Sequence, residues 1–322
     1  VKAGCTLLAL LIALAMGAAA WFAFGWYSSG PVEEETAFIV PSGSSLTSAA
    51  QKLEEEGNIH SADAFLLRAK IFGSDDPIKA GEFLLPAGAS PAQILDIFQH
   101  GDVVLRFVTI PEGTPSIRVH AILMEEPLLT GEVEVPEEGS ILPDTYDFER
   151  GESRAAVLER MQQAMSEALA ELWPTKGPNS VVETPEELVT LASIVEKETG
   201  VPEEREMVAG LYSNRLRQGI RLQADPTIIY PITKGLPLGR RIRRSEIDAV
   251  NDYNTYAMDG LPKGPITNPG RASLEAVLNP AETDALFMVA DGTGGHAFGR
   301  TVEEHNENVE IWYEIRRERG EM

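Results

Sequence analysis

Cysteine is nearly missing from this chain: 322 residues carry one, Cys5. A single thiol excludes any intrachain disulfide and any cysteine-rich metal knuckle. Histidine is scarce too, at five residues, and none falls in an H-E-x-x-H arrangement. His296 and His305 lack partners at zinc-ligand spacing, so no metal is expected. Basic charge is in deficit, with 27 Lys and Arg against 50 Asp and Glu for a net charge of −23. That balance argues against a nucleic-acid partner, whose phosphates need a basic face, and serves solubility instead. No internal repeat and no long low-complexity tract is present. Ser193 and Lys197 form S-x-x-x-K, not the S-x-x-K of penicillin-binding serine enzymes. Gly292, Gly294 and Gly295 lie between two strand-like segments with no helix following, so no dinucleotide site and no cofactor is expected.

One long uncharged run stands out. Residues 6–26, TLLALLIALAMGAAAWFAFGW, hold no charged side chain, and as a helix they rise about 31 Å, the depth of a bilayer core. Trp21, Phe22, Phe24, Trp26 and Tyr27 crowd one end as an interfacial aromatic belt would. A cleaved signal peptide is the competing reading; the length and the aromatic exit favour an uncleaved anchor over residues 6–27. Lys2 before the run and Glu33, Glu34 and Glu35 after it put the amino terminus in the cytoplasm and the remainder outside the cytoplasmic (inner) membrane. No apolar run precedes Cys5, which argues against lipidation there. The chain starts at Val1, so further native residues are expected upstream of the cytoplasmic remnant at 1–5.

The rest reads as α+β. After a linker at 28–36, a small module at 37–103 is expected: a strand near 37–40, helices at 44–56 and 61–72, a strand at 79–85, and a helix opened by Ser90-Pro91. Its βααβ order resembles the LysM-like modules of wall-binding proteins. A mixed α+β domain follows over 104–322, with an intermediate part at 104–183 and a motif-bearing part at 184–322. The intermediate part contains a strand near 103–110, a short helix at 116–124, a loop over 139–146 and a long amphipathic helix at 153–173.

The stretch around which the remainder is organised begins at Thr184. Thr184 can cap, Pro185 suits the first helical position, and Glu187 completes a capping box. Leu188, Leu191, Ala192 and Val195 then recur at helical spacing up to Gly200, a stop signal. On that wheel Lys197 falls on the polar side, whereas Glu196 and Glu198 both flank the apolar arc. A carboxyl on an apolar wall has its charged form disfavoured and moves toward what a general acid needs. An exposed Glu-Lys-Glu helix end is the plain alternative, and periodicity does not choose between Glu196 and Glu198.

Downstream, a helix at 205–218 leads to Leu222-Gln223-Ala224-Asp225-Pro226-Thr227, where Asp225 reads first as a helix cap. Arg215, Arg217, Arg221, Arg240, Arg241, Arg243 and Arg244 read as a local basic patch. Residues 253–270 form a long loop rich in Pro, Gly and amide, of a kind that tends to carry function. Its Tyr and Asn side chains suit sugars, one by stacking and the other by paired hydrogen bonds. A hairpin around Asp291–Gly295 and a final helix opened by a Thr301/Glu304 capping box close the chain.

Together, L-A-S-I-V-E-K-E-T, S-N-R-L-R, R-L-Q-A-D-P-T, Y-N-T-Y, G-L-P-x-G-P-I and V-A-D-G-x-G-G-H-x-F resemble the membrane-bound endolytic murein transglycosylases (MltG, YceG-like), in order from about Leu188 to Asn306. The resemblance implies a lyase that cuts the MurNAc–GlcNAc β-1,4 bond inside nascent glycan strands without water, leaving a 1,6-anhydroMurNAc end. It implies Glu196 as the catalytic acid, and Gln223, Asp225, Tyr253, Asn254, Tyr256, Asn214 and His296 as residues at the glycan. Partners implied are nascent peptidoglycan strands and the cell-wall synthases (penicillin-binding proteins). A membrane-anchored scaffold that binds glycan without cutting it is the alternative.

Overall fold

The structure, a computed structural model, describes residues 2–320, and side chains from residue 8 onward. Lys2 and Cys5, on which the orientation and lipidation expectations rest, and residues 1–5 as a cytoplasmic segment therefore lie outside the described side chains. Two compact units divide the chain: Val1–Arg106 with Phe148–Gly151, and Phe107–Asp147 with Glu152–Met322.

The first unit starts with α1 (Lys2–Tyr27), whose stretch Leu8–Tyr27 is long and apolar enough to cross a membrane. Strand β1 (Thr36–Val40) follows, then α2 (Leu46–Glu55), α3 (Ala62–Phe72), β2 (Gly81–Leu85) and α4 (Pro91–His100). The serines before the three module helices do the capping. Ser45 and Ser90 form reciprocal boxes with Ser48 and Gln93, and Ser61 accepts from the Ala64 N–H. β1 and β2 pair antiparallel with Thr36 opposite Leu85 and Val40 opposite Gly81. Alternate residues of the pair turn inward; Phe38 stacks on Phe98 of α4 at 5.3 Å, and Phe83 packs tilted against the same ring at 5.4 Å. The core reaches into α1: Trp26 is 2% exposed, against Phe65. Phe148–Gly151 belongs to this unit because Arg150 and Arg106 both hold the buried Glu82 carboxylate, at 2.8 and 2.9 Å.

Next, β3 (Leu105–Thr109) pairs with a strand not expected from sequence, β4 (Thr145–Glu149). Between them is α5 (Ser116–Glu125), and after them α6 (Arg154–Leu172). The larger unit continues with α7 (Pro185–Glu198), α8 (Arg205–Arg217), α9 (Asp225–Thr233), a single turn α10 (Arg244–Ile247) and α11 (Arg271–Leu278). The antiparallel hairpin β5 (Phe287–Ala290) and β6 (His296–Gly299) and the last helix, α12 (Val302–Glu318), complete it. α7 is the axis of this unit. It packs against α8, α9 and α11, and every residue from Leu188 to Val195 is buried. Sequence periodicity suggests one buried face; here the middle of the helix is covered on all sides, as expected of one threaded through a core, and Glu186 and Lys197 near its ends are exposed.

Three local expectations need correction. Thr184 and Thr301 do accept from the third helical N–H, but Glu187 and Glu304 turn their carboxylates to the N–H of Glu183 and Arg300, one residue before the cap. Each box is therefore only half formed. Asp225 is not the cap of α9: Ala224 occupies that position and Asp225 is the first helical residue. Most of the arginines read as a basic patch are engaged. Arg215 is spent on the backbone carbonyls of Leu286 and Leu222, Arg217 on Asn214 and Asn179, Arg221 on Asp259, Arg240 on Glu246 and Arg244 on Asp248, while Arg241 and Arg243 are exposed.

Candidate active site

The end of α7 carries two carboxylates into different surroundings, because residues two apart on a helix face nearly opposite ways. Glu196 meets the start of α11. Its Oε2 accepts from the Gly270 N–H at 2.9 Å and from the Ser273 hydroxyl at 2.7 Å. Its Oε1 lies 3.6 Å from Arg205 Nη2, which also holds Glu112 at 3.1 Å. The Glu196 side chain is 6% exposed. Every partner is a donor, in the arrangement of an anion at a helix amino terminus. Glu196 thus fastens α11 and Arg205 to α7.

Glu198 faces α8 and α9. The residue as a whole is half-buried, yet its Oε1 is enclosed and has no hydrogen-bond partner among the described residues. Burial pushes its carboxyl up to about 7; the Tyr212 hydroxyl pulls the other way, the Asp225 charge adds to the rise and Arg215 opposes it. Tyr212, on α8, is 2% exposed, and its phenol is raised well above the usual tyrosine value by burial and then by the Glu198 charge. Tyr256 donates its hydroxyl to Asp225 Oδ1 at 2.7 Å; burial and that carboxylate raise the phenol's pKa as well. Arg215, also from α8, is 8% exposed, and burial lowers its pKa.

This arrangement depends on clamping the 223–227 stretch to the 253–256 loop. Thr255, fully enclosed, holds the Ala224 N–H at 3.0 Å and the Thr227 hydroxyl at 2.8 Å, while its carbonyl takes the Gln223 N–H at 3.2 Å. Gln223 is exposed and sits at φ +51°, one of two non-glycine residues with positive φ among the described residues. Such strain persists only where surroundings enforce it, and it gathers at functional sites. The loop is also tied to α7, where the Ser193 hydroxyl accepts from the Ile266 N–H at 3.0 Å.

Of the residues expected at the glycan, Gln223, Asp225 and Tyr256 come together here, linked to Glu198 through Asp225 and the loop clamp. Tyr253 packs tilted against Tyr230 of α9 with ring centres 4.8 Å apart. His296 sits nearby in the bonding network: its ring and its N–H both engage Glu204, at 2.8 and 2.7 Å, and Glu204 also accepts from Thr199, the neighbour of Glu198. Burial alone would raise Glu204, but those donors outweigh it and hold the carboxyl below its usual value.

Two expected residues are engaged elsewhere. Asn254 is 0% exposed, with its amide nitrogen on the carbonyls of Ile247 and Ala249 and its oxygen on the Tyr256 N–H. Asn214 donates to the carbonyls of Thr283 and Ala285 and accepts from Arg217. Both shape the loops instead.

Sequence reading missed Tyr212, Glu204 and the clamp residues Ser193 and Thr255. Tyr212 lies at an apolar-spaced position of the 205–218 helix, and only its neighbours in space, Glu198 and Arg215, reveal the hydroxyl's role. Among the described residues no group of His, Cys, Asp and Glu is arranged to hold a metal.

A sequence profile of the YceG-like family matches residues 38–311. An endolytic murein transglycosylase of Bacillus subtilis is 26% identical over 92% of this chain and 91% of its own length. Another, from Streptococcus pneumoniae, is 28% identical over 84% of this chain, which spans 57% of that longer relative. A crystal structure of a yceG-like protein from Listeria monocytogenes superimposes with a TM-score of 0.53 at 28% identity, covering 85% of this chain and 99% of that one.

Proposed function

The chain belongs to the YceG-like family, and from that premise we propose that it is an endolytic peptidoglycan transglycosylase whose general acid is Glu198, in place of the Glu196 that the sequence resemblance implied. The reaction is cleavage of the MurNAc–GlcNAc β-1,4 bond without water. One observation carries the choice of acid: Glu198 has an enclosed, unpartnered oxygen and a carboxyl raised to about 7, whereas Glu196 is saturated with donors.

The chemistry follows from that environment. A carboxyl near 7 is part protonated at neutral pH and can give its proton to the glycosidic oxygen as the C1–O bond breaks. The resulting carboxylate then takes the proton from the C6 hydroxyl as O6 attacks C1, closing the 1,6-anhydro ring. The attack is intramolecular, so effective molarity replaces a positioned water. Ordinary glycosidases need two carboxylates; here one serves both steps, with the substrate's N-acetyl group stabilising positive charge at C1. Gln223, Asp225 and Tyr256 are the residues on hand to bind the sugars. The β1–α2–α3–β2 unit takes the role of a LysM-like glycan-holding module, supported by its strand–helix–helix–strand order. α1 is the anchor in the cytoplasmic membrane, supported by its length and composition.

Mass analysis of products from uncrosslinked glycan strands tests this reading. The unaltered protein should yield anhydro-ended fragments, Glu198→Gln none, and Glu196→Gln a reduced but measurable amount. Products heavier by one water would make it a hydrolase. Glycan binding without any product would favour the scaffold, and anhydro products from Glu198→Gln would move the acid elsewhere.

A further inference from the structure

The carboxy-terminal turns of α1 are packed into the first unit. Phe72 of α3 lies against Phe22 and Tyr27 of α1, with ring centres 5.9 and 6.2 Å apart, and Phe65 against Trp26 at 5.7 Å. Arg68 donates from Nε to the Phe22 carbonyl at 3.1 Å and lies over the Phe22 ring. Glycine at 25 permits this approach, since a Cβ there would collide with the Arg68 guanidinium. The apolar stretch Leu8–Tyr27 has 20 residues, about 30 Å of helix, so a bilayer core consumes nearly all of it. Residues 22–27 then sit at the hydrocarbon boundary, and whatever is packed against them sits at the same depth.

α3 is packed there, and its outer face is apolar. Leu67 is 52% exposed, Ile71 57% and Phe72 36%. Leu67 and Ile71 are four residues apart and form one stripe. The charges on this helix are Asp63 at its start and Arg68 and Lys70, whose long stems can carry their heads to the headgroup layer. With Ala62, Phe65 and Ala69 buried in the core and Leu67, Ile71 and Phe72 exposed, α3 presents apolar side chains outward with basic residues beside them, a surface suited to a membrane interface. Tyr27, 65% exposed beside Phe72, continues the same apolar band.

We propose that α3 lies in the interfacial layer of the bilayer that α1 crosses, with Leu67, Ile71 and Phe72 against acyl chains and Arg68 at the level of the lipid phosphates. The first unit is then seated on the membrane from its own core outward. This rests on α1 being an uncleaved anchor.

The test uses the full chain in phosphatidylethanolamine–phosphatidylglycerol vesicles, with Cys5→Ser and single cysteines introduced at residue 67 or 71, each carrying an environment-sensitive fluorophore. Residue 14 in the span and residue 55, exposed on α2, are the reference sites. Quenching by brominated acyl chains at 67 and 71 should be several-fold stronger than at 55, and no stronger than at 14. Quenching at 67 and 71 equal to that at 55, with 14 still quenched, overturns the proposal while leaving the anchor intact. Loss of quenching at 14 as well removes the anchor, and the proposal with it.

Discussion

Glu198 is unusual because the protein makes its charged form costly. Its folded-state value of about 7 stands above the ordinary 4.5, so folding favours the protonated form. The stability contributed by that proton is complete below pH 4.5 and is lost as pH rises through 7, a change on the order of 3 kcal/mol. Glu198→Gln should therefore flatten the fall in thermal midpoint between pH 4.5 and 7 and leave the protein more stable than the unaltered chain at pH 8, although inactive. A variant as pH-sensitive as its parent would show that the carboxyl is not the source. Under the proposed role, kcat/KM on glycan strands should fall as pH rises through about 7, since the acid must begin protonated. Choosing between Glu196 and Glu198 was beyond the sequence for a physical reason. Both flank the apolar arc of α7, as the helical wheel indicated. What separates them are Gly270 and Ser273 of α11 on one side and Tyr212 and Asp225 on the other, partners that only tertiary packing brings near.

Elements with strong local signals were legible, and those defined by their neighbours were not. Thr184-Pro185 marks the start of α7, and Ser90-Pro91 that of α4. By contrast the cap of α11 is Gly270, which has no capping side chain, directly after a Pro- and Gly-rich loop; its place is fixed by Glu196 accepting the Gly270 N–H. β4 is five residues long, and only its pairing with β3 defines it as a strand. Packing also reverses a rule of thumb in α8. Glycine to alanine within a helix normally gains up to about 1 kcal/mol. At Gly210 a Cβ would stand 2.6 Å from the Ala281 carbonyl oxygen, which is backbone and cannot swing aside. Overpacking of that kind costs roughly 1–3 kcal/mol, so Gly210→Ala should lower the thermal midpoint. Because Asn214 on the same helix holds Thr283 and Ala285, hydrogen exchange in residues 281–286 should quicken as well. A neutral or stabilising result would mean that this segment yields more easily than its contacts suggest.

At the scale of the whole chain, the apolar amino-terminal run serves two purposes that sequence alone kept apart. The run was read as an anchor and residues 28–36 as a linker to an independent module. Yet Trp26 is among the largest fully buried side chains, and it shares a core with Phe38, Phe65, Phe83 and Phe98. Val32, within the supposed linker, is 5% exposed in that core, and the Gly30 and Gly88 backbones are hydrogen-bonded. The first unit is therefore not a bead on a tether; its core extends into the last turn of α1. Removing a buried tryptophan costs about 3–5 kcal/mol. Trp26→Ala should accordingly speed amide exchange across α3 in the membrane-embedded protein, and a shortened chain beginning at Ser28 should behave the same way even without lipid. A version beginning at Trp21 keeps Trp26 and should retain slow exchange at Phe65. If all three exchange alike, the anchor contributes nothing to the core, and the unit must be treated as complete from β1 onward.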